Sequence, residues 1–299
     1  MQSSAPYERV LADRRMPGAK WFPGARLNYA QHALRHERPD AVALMYLSER
    51  TPLSHVSWEE LGGKVRILAT QLRKSGVEPG DRVVAYLPNA PETLIAMLAT
   101  TSIGAVWSSC GPDFGTRGVL DRYSQLAPTV MFCVDGYQYG GKPFDRKAEV
   151  QKIIGQLDSL RHVVYLPYLN RADRQPLSAH TLFWDELFEH PAVPADEFEF
   201  AQVPFDHPLW ILFSSGTTGL PKPICHGHGG IILEQLKHLA FNFDVHPCGS
   251  PFRKSRGGHG NHQSAHRRTR CTGYRVSHLQ PFEPDLGRGR HARRRGFGR

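Results

Sequence analysis

The chain has 299 residues, 40% of them hydrophobic, and a formal net charge of +9 at pH 7. It is long enough to bury a large core, and the lack of a run of roughly 18 apolar residues or an apolar leader predicts neither a membrane span nor a secretory signal. Five scattered cysteines without a CxxC spacing argue against disulfides and a cysteine zinc site, and they favour a cytoplasmic protein.

Strand-like and helix-like segments alternate through the first half of the chain. A hairpin is predicted over 42–58, and Ser57 with Glu60 forms a capping box for a helix that Gly76 ends. Further segments are predicted as strands over 82–87, 104–108, 129–134 and 162–166, and as helices over 91–103, 116–126 and 144–160. This alternation predicts βαβ units and an α/β fold with a mostly parallel sheet.

The region after the last of these strands is less regular. Residues 167–208 are rich in Pro, Asp, Glu and aromatic residues, and they are predicted to form a connection with one short helix around 184–188. Next come His226 and His228, two residues apart beside a pair of glycines. That spacing does not suit a metal site, so we expect these histidines to pack rather than to bind metal.

The stretch WILFSSGTTGLPK, residues 210–222, predicts an apolar strand followed by a polyphosphate-binding loop. Glycines let the backbone approach phosphate oxygens, hydroxyl groups donate hydrogen bonds, and a lysine adds positive charge. The candidate residues are Ser214, Ser215, Gly216, Thr217, Thr218, Gly219 and Lys222. The loop is not a Walker loop, because Pro221 replaces its second glycine. A simple hairpin turn with a solvated lysine is the alternative.

SSGTTGLPK resembles the phosphate-binding signature of the adenylate-forming enzymes. The residues after it, ICH and HGG before an apolar-periodic 231–243, are similar to the strand, HxxGG-type turn and helix of that superfamily. WFPGARLNYAQHAL (21–34), residues 87–115 and residues 209–222 resemble the acetate- and acetoacetate-activating branch of the acyl-CoA synthetases, and VWSSCGPDFG is most similar to the acetoacetate-activating members. The resemblance covers about 1–246 and implies an incomplete large amino-terminal domain of the adenylate-forming fold.

The resemblance implies a two-step reaction of acetoacetate, ATP with Mg²⁺, and CoA. The acid is first activated to an acyl-adenylate with release of pyrophosphate, and the CoA thiol then displaces AMP. Acetate, another acyl group or an amino acid is the alternative acid, because no acid-binding residue can be assigned. No metal ligand and no catalytic residue can be assigned either, since nothing in 247–299 matches the magnesium-binding glutamate, ribose-binding aspartate or catalytic lysine of the family. We therefore expect the chain not to be competent alone.

The resemblance also implies a second binding segment. Tyr139, Gly140, Gly141 and Lys142 fall where acetyl-CoA synthetases carry a basic glycine loop that meets the 3′-phosphate of CoA. A solvated turn is the alternative.

The positive charge is concentrated at the end of the sequence. Residues 1–246 hold 24 Lys and Arg against 26 Asp and Glu, whereas residues 247–299 hold 13 against 2. The last segment is too poor in aliphatic residues to offset the entropy lost on ordering, so it is predicted to be disordered. We favour a disrupted reading frame as its origin; a genuine basic tail that binds nucleic acid is the alternative, and the net acidic body argues against it.

Overall fold

The computed structural model describes residues 1–214 and 219–243, and the expectations for 247–299 lie outside this part of the chain. The described strands are β1 (Leu11–Asp13), β2 (Lys20–Trp21), β3 (Arg26–Leu27), β4 (Val42–Tyr46), β5 (Ser54–Ser57), β6 (Arg82–Tyr86), β7 (Val106–Cys110), β8 (Val130–Val134), β9 (Gly136–Tyr139), β10 (Lys142–Asp145), β11 (His162–Leu166), β12 (Thr181–Phe183), β13 (Val203–Pro204), β14 (Pro208–Ser214) and β15 (Lys222–Gly227). The helices are α1 (Tyr29–Leu34), α2 (Trp58–Lys74), α3 (Pro91–Ser102), α4 (Thr116–Tyr123), α5 (Lys147–Ile154) and α6 (His228–Lys237), with a 3₁₀ turn at Glu186–Phe188 and a π-helical turn at His238–Asn242.

A seven-stranded sheet organises the molecule, in the order β12-β11-β8-β6-β7-β14-β15. Each neighbouring pair from β12 to β14 is parallel, and only β15 runs antiparallel to its neighbour β14. The predicted α/β class and mostly parallel sheet are confirmed. Four two-stranded antiparallel sheets surround it: β1–β2, β3–β13, β4–β5 and β9–β10.

The central strands are buried on both faces because helices cover each side. Along β6, Val83 and Ala85 belong to the hydrophobic cluster that contains residues of α2 and α3. Their neighbours Val84 and Tyr86 belong to the opposite cluster, which contains residues of α4 and α5. The sheet is therefore doubly wound, and continuous apolar runs such as RVVAY are what a strand buried on both faces requires.

Local sequence signals account for several of these elements. The Ser57 hydroxyl oxygen accepts a hydrogen bond from the Glu60 N–H at 3.0 Å, as the capping box predicts for the start of α2. Gly76, with a φ of +77°, follows the end of the helix. After β8, the buried Asp135 carboxylate accepts hydrogen bonds from three successive backbone N–H groups, those of residues 168, 169 and 170, at 2.7–2.8 Å.

Three predicted elements differ from the structure. The helix predicted over 144–160 is only α5, because the Gly140–Gly141 turn folds residues 142–145 back as β10. The irregular connection contributes β12, which extends the sheet. The last helix starts at His228 rather than 231, with Gly227 as its N-cap, and Gly229 in its first turn packs so closely against Phe205 that a Cβ there would lie 2.1 Å from the ring.

The far margin of the sheet is less covered than its centre. Leu212 of β14 and Ile224 of β15 are each almost half exposed, and Phe241 after α6 is 84% exposed. Apolar side chains are therefore exposed at this edge of the sheet. No helix of the described residues has both the length and the apolar character that a bilayer span requires.

Candidate phosphate-binding site

The candidate phosphate loop connects two antiparallel strands. Ser214 is the last residue of β14, and its register partner is Lys222, the first residue of β15. Gly219 has a φ of +120°, in the region that favours glycine. The predicted strand, loop and basic residue are therefore adjacent, with Lys222 exposed. Ser215, Gly216, Thr217 and Thr218 lie outside the described residues.

The loop leaves the sheet at the edge where the parallel strands end. Strands β6, β7, β8 and β14 all run in one direction, so their carboxyl ends share that edge. The chain passes from β6 to β7 on one side and then returns to β8 on the other side of β6. Open α/β sheets bind ligands outside the carboxyl ends of their strands near such a reversal.

Strands β7 and β14 meet shortly before this edge. The two strands share one ladder pair, Trp107 with Trp210, and beyond it the Ser108 hydroxyl donates to the Ile211 carbonyl oxygen at 2.7 Å. The next residue, Ser109, is exposed, although the other residues of β7 are buried. The carboxyl end of β7 therefore presents an exposed serine next to β14.

The end of helix α4 and the turn after it support the loop from one side. The Gln125 side-chain amide donates to the Pro221 carbonyl oxygen at 3.0 Å. The Arg122 guanidinium carbon lies 4.9 Å from the Phe114 ring centroid and 5.9 Å from that of Phe213. Phe213 directly precedes Ser214, so Arg122 adds a cation near the base of the loop. Arg122 is not predictable as a site residue from the sequence, because its helical position in TRGVLDRY carries no distinguishing signal.

The segment after β7 is fixed by a buried tyrosine and a half-buried arginine. The Tyr86 hydroxyl lies 2.7 Å from the carbonyl oxygens of both Pro112 and Phe114, and burial raises the pKa of this phenol. Arg146 Nε donates to the Pro112 carbonyl oxygen at 3.0 Å. The neutral Tyr86 hydroxyl and the Arg146 guanidinium therefore hold the Gly111–Gly115 segment in place after β7.

Comparison with known proteins agrees with this geometry. The sequence profile described as "AMP-binding enzyme" matches residues 30–252, which is about three quarters of the chain. The chain belongs to the AMP-binding enzyme family. The structure of the acetoacetyl-CoA synthetase from Streptomyces lividans superimposes with a TM-score of 0.77 at 52% identity, covering 82% of this chain and 37% of that one.

Two curated relatives of this AMP-binding family protein carry the same name. The acetoacetyl-CoA synthetase of Macaca fascicularis is 45% identical over 225 residues, covering 74% of this chain and 34% of the relative. The acetoacetyl-coenzyme A synthetase of Rhizobium meliloti is 42% identical over 238 residues, covering 79% and 36%. The chain therefore spans about a third of the length of the curated relatives that it matches.

The second candidate segment of this family member forms a hairpin turn. Tyr139 ends β9 and Lys142 begins β10, with Gly140 and Gly141 between them at φ values of +59° and +75°. All four residues are exposed. The hairpin starts at Gly136, two residues after β8 ends, so it projects from the same edge of the sheet as the phosphate loop.

Other reactive side chains are placed for packing. Burial raises the pKa values of Cys110 and Cys133, so both thiols stay neutral. His228 is fully buried, its Nδ1 accepts from the Tyr29 N–H at 3.0 Å, and burial lowers its pKa to about 3. The packing role predicted for His228 is confirmed. The described residues contain no cluster of three or more His, Cys, Asp or Glu side chains that could hold a metal ion.

Proposed function

We propose that this chain carries the ATP-binding part of an acetoacetate–CoA ligase of the AMP-forming type. The single observation that carries the proposal is the placement of Ser214, Gly219 and Lys222 at the carboxyl edge of the sheet, next to the end of β7. The names of the relatives support acetoacetate as the acid. Acetate or another acyl group is the alternative acid for the same site.

Charge is the main obstacle in the proposed first step. A carboxylate oxygen attacks the α-phosphorus of ATP, the bond from that phosphorus to its bridging oxygen breaks, and pyrophosphate leaves. Because both reactants are anions, fixed donors and cations must stabilise the transition state. We assign the β- and γ-phosphates to Lys222 and to the hydroxyl and backbone N–H groups of 214–219. Arg122 lies near enough to the base of the loop to add to this positive field.

The second step transfers the acyl group to CoA. The thiol sulfur attacks the acyl carbon, the carbon–oxygen bond to AMP breaks, and AMP leaves. We propose that the exposed Tyr139–Lys142 hairpin meets the 3′-phosphate of CoA through its glycine N–H groups and Lys142. The described residues offer no carboxylate cluster for Mg²⁺, so we assign that ion to ATP rather than to these side chains. The free thiols of Cys110, Cys133 and Cys225 support a reducing compartment, and we propose the cytoplasm.

The phosphate assignment can be tested by direct binding. Replacing Lys222 by methionine should weaken ATP binding by about tenfold or more, because a charge-assisted hydrogen bond contributes about 1.5–3 kcal/mol. AMP lacks the β- and γ-phosphates, so its affinity should hardly change. Equilibrium dialysis of the whole 299-residue chain measures both constants. Lys152→Met, at an exposed position of α5, is the matched control. Equal loss of ATP and AMP affinity in Lys222→Met, or no loss, would contradict the assignment.

We further propose that this chain binds nucleotide without completing the reaction. It spans about a third of the length of its relatives, and no residue of the chain has been assigned to the acid or to catalysis. The purified 299-residue protein should therefore produce no acetoacetate-dependent AMP above background when supplied with ATP, Mg²⁺ and CoA. The measurement is chromatographic detection of AMP, and clear AMP formation that needs acetoacetate would refute this proposal.

A further inference from the structure

The turn between β9 and β10 already binds an anion, and that anion belongs to the chain. The N–H groups of Gly140 and Gly141 donate to Oε1 and Oε2 of Glu49, each at 2.8 Å. Glu49 lies in the turn between β4 and β5, in a different two-stranded sheet. One carboxylate therefore takes both backbone donors of the glycine turn, one on each oxygen.

The backbone conformation of the turn, rather than steric crowding around it, explains why it contains two glycines. A Cβ placed on Gly140 or on Gly141 would meet nothing within 4 Å. Both residues nevertheless adopt positive φ values, which residues with a Cβ rarely adopt. In this conformation both N–H groups reach a single carboxylate. The turn is thus a ready-made pair of anion donors, and Lys142 follows it directly.

The turn that carries Glu49 is itself held in place. The Ser48 hydroxyl oxygen accepts hydrogen bonds from the Arg50 and Thr51 N–H groups at 3.2 and 3.1 Å. The Arg50 guanidinium donates to the Leu169 carbonyl oxygen at 3.0 Å and lies over the Tyr168 ring. Because the residues on both sides of Glu49 are fixed, its carboxylate is presented to the glycine turn without much further loss of freedom.

We infer that Glu49 is an internal competitor for a phosphate monoester at the Gly140–Gly141 turn. This inference rests on the proposed function, in which that phosphate is the 3′-phosphate of CoA. Two anions cannot share the same two N–H donors, so the phosphate displaces the carboxylate. Displacement breaks the only described hydrogen bonds of Glu49 to the β9–β10 hairpin and loosens it from the β4–β5 hairpin. Glu49 thereby sets both the affinity and the selectivity of the turn.

The test compares CoA with 3′-dephospho-CoA, binding each to the whole chain by titration calorimetry. Glu49→Gln and Glu49→Ala should bind CoA about three- to tenfold more tightly than the unaltered chain, because the competing state is removed. Their affinity for 3′-dephospho-CoA should be unchanged. Glu197→Gln, which removes one exposed negative charge elsewhere, is the control and should behave like the unaltered chain. Amide hydrogen exchange at 139–142 should be faster in Glu49→Ala without ligand.

The outcomes separate the inference from the proposed function. If the unaltered chain prefers CoA to 3′-dephospho-CoA but the Glu49 variants bind CoA no more tightly, the inference is wrong and the CoA contact stands. If none of the four proteins distinguishes the two ligands, the CoA contact fails, and the inference with it. Unchanged amide exchange at 139–142 in a folded Glu49→Ala protein would also overturn the inference, since the carboxylate would then not hold the turn.

Discussion

The centre of the seven-stranded sheet and its β14–β15 margin are built on different principles. At the centre, Phe132 of β8 is almost completely buried, with Trp107 and Trp184 as ring neighbours at 6.2 and 6.1 Å. At the margin, Leu212 and Ile224 remain about half exposed. The candidate phosphate loop belongs to the margin. The candidate binding residues therefore lie on a margin that is less buried than the centre of the sheet.

Paired truncations should show this difference most strongly. Phe132→Ala removes a buried ring and leaves a cavity, so we expect it to lower the free energy of unfolding by about 3–5 kcal/mol. Ile224→Ala removes atoms that are already partly in water and should cost less than about 1 kcal/mol. Urea unfolding followed by circular dichroism measures both. Similar losses at the two sites would mean that the margin is as well packed as the centre.

Acid should weaken the contact between α6, which begins at His228, and α1, which begins at Tyr29. Burial lowers the pKa of His228 to about 3, so between pH 6.5 and 3 the unfolded chain binds a proton that the folded chain does not. This group's contribution to stability is therefore full above pH 6.5 and decreases as the pH falls through that window, by up to about 1.4 kcal/mol per pH unit.

His228→Asn isolates that contribution. The asparagine oxygen can still accept from the Tyr29 N–H, but it does not titrate. We expect its free energy of unfolding to depend less steeply on pH between 3 and 6.5 than that of the unaltered chain. Urea unfolding at several pH values provides the measurement. An unchanged slope would show that other groups control the acid response.

Removing an exposed apolar side chain near the sheet margin should have the smallest effect on stability but a measurable effect on self-association. Uncovered sheet edges and apolar patches promote association, and we expect the 299-residue chain to associate in solution. Phe241→Ser should reduce the associated fraction in sedimentation velocity while changing the free energy of unfolding by about 0.5 kcal/mol or less. Met16→Ser, at an equally exposed residue of the amino-terminal segment, is the control. A monodisperse monomer for the unaltered chain would contradict the prediction.

The fold was largely predictable because its central elements carry strong local signals. RVVAY is an apolar, β-branched run, and the capping box at Ser57 marks the start of α2. The strands of the β9–β10 hairpin were missed because they are short and mostly polar, although the glycine turn between them was expected. Strand β12 was missed because three residues carry too little pattern to stand out from a proline-rich connection.

The candidate site was predictable only where the residue types themselves carry the chemistry. Ser214, Gly219 and Lys222 stand out in the sequence, and antiparallel pairing brings the first and last together. Arg122 and Glu49 do not stand out, because an arginine on a helix and a glutamate in a turn are ordinary. Their importance comes from long-range contacts, to Phe213 and to the glycine turn 91 residues away.

Asp135 should give residues 168–170, which are irregular, the slow amide exchange of a strand. Its buried carboxylate holds the N–H groups of residues 168–170, which have no ladder partner of their own. Those three amides should exchange with deuterium as slowly as amides inside the sheet, since freeing them requires a buried charge to lose its hydrogen bonds. In time-resolved labelling, the slow exchange of β11 would therefore resume at residues 168–170, after Leu166, although the backbone has already left the sheet.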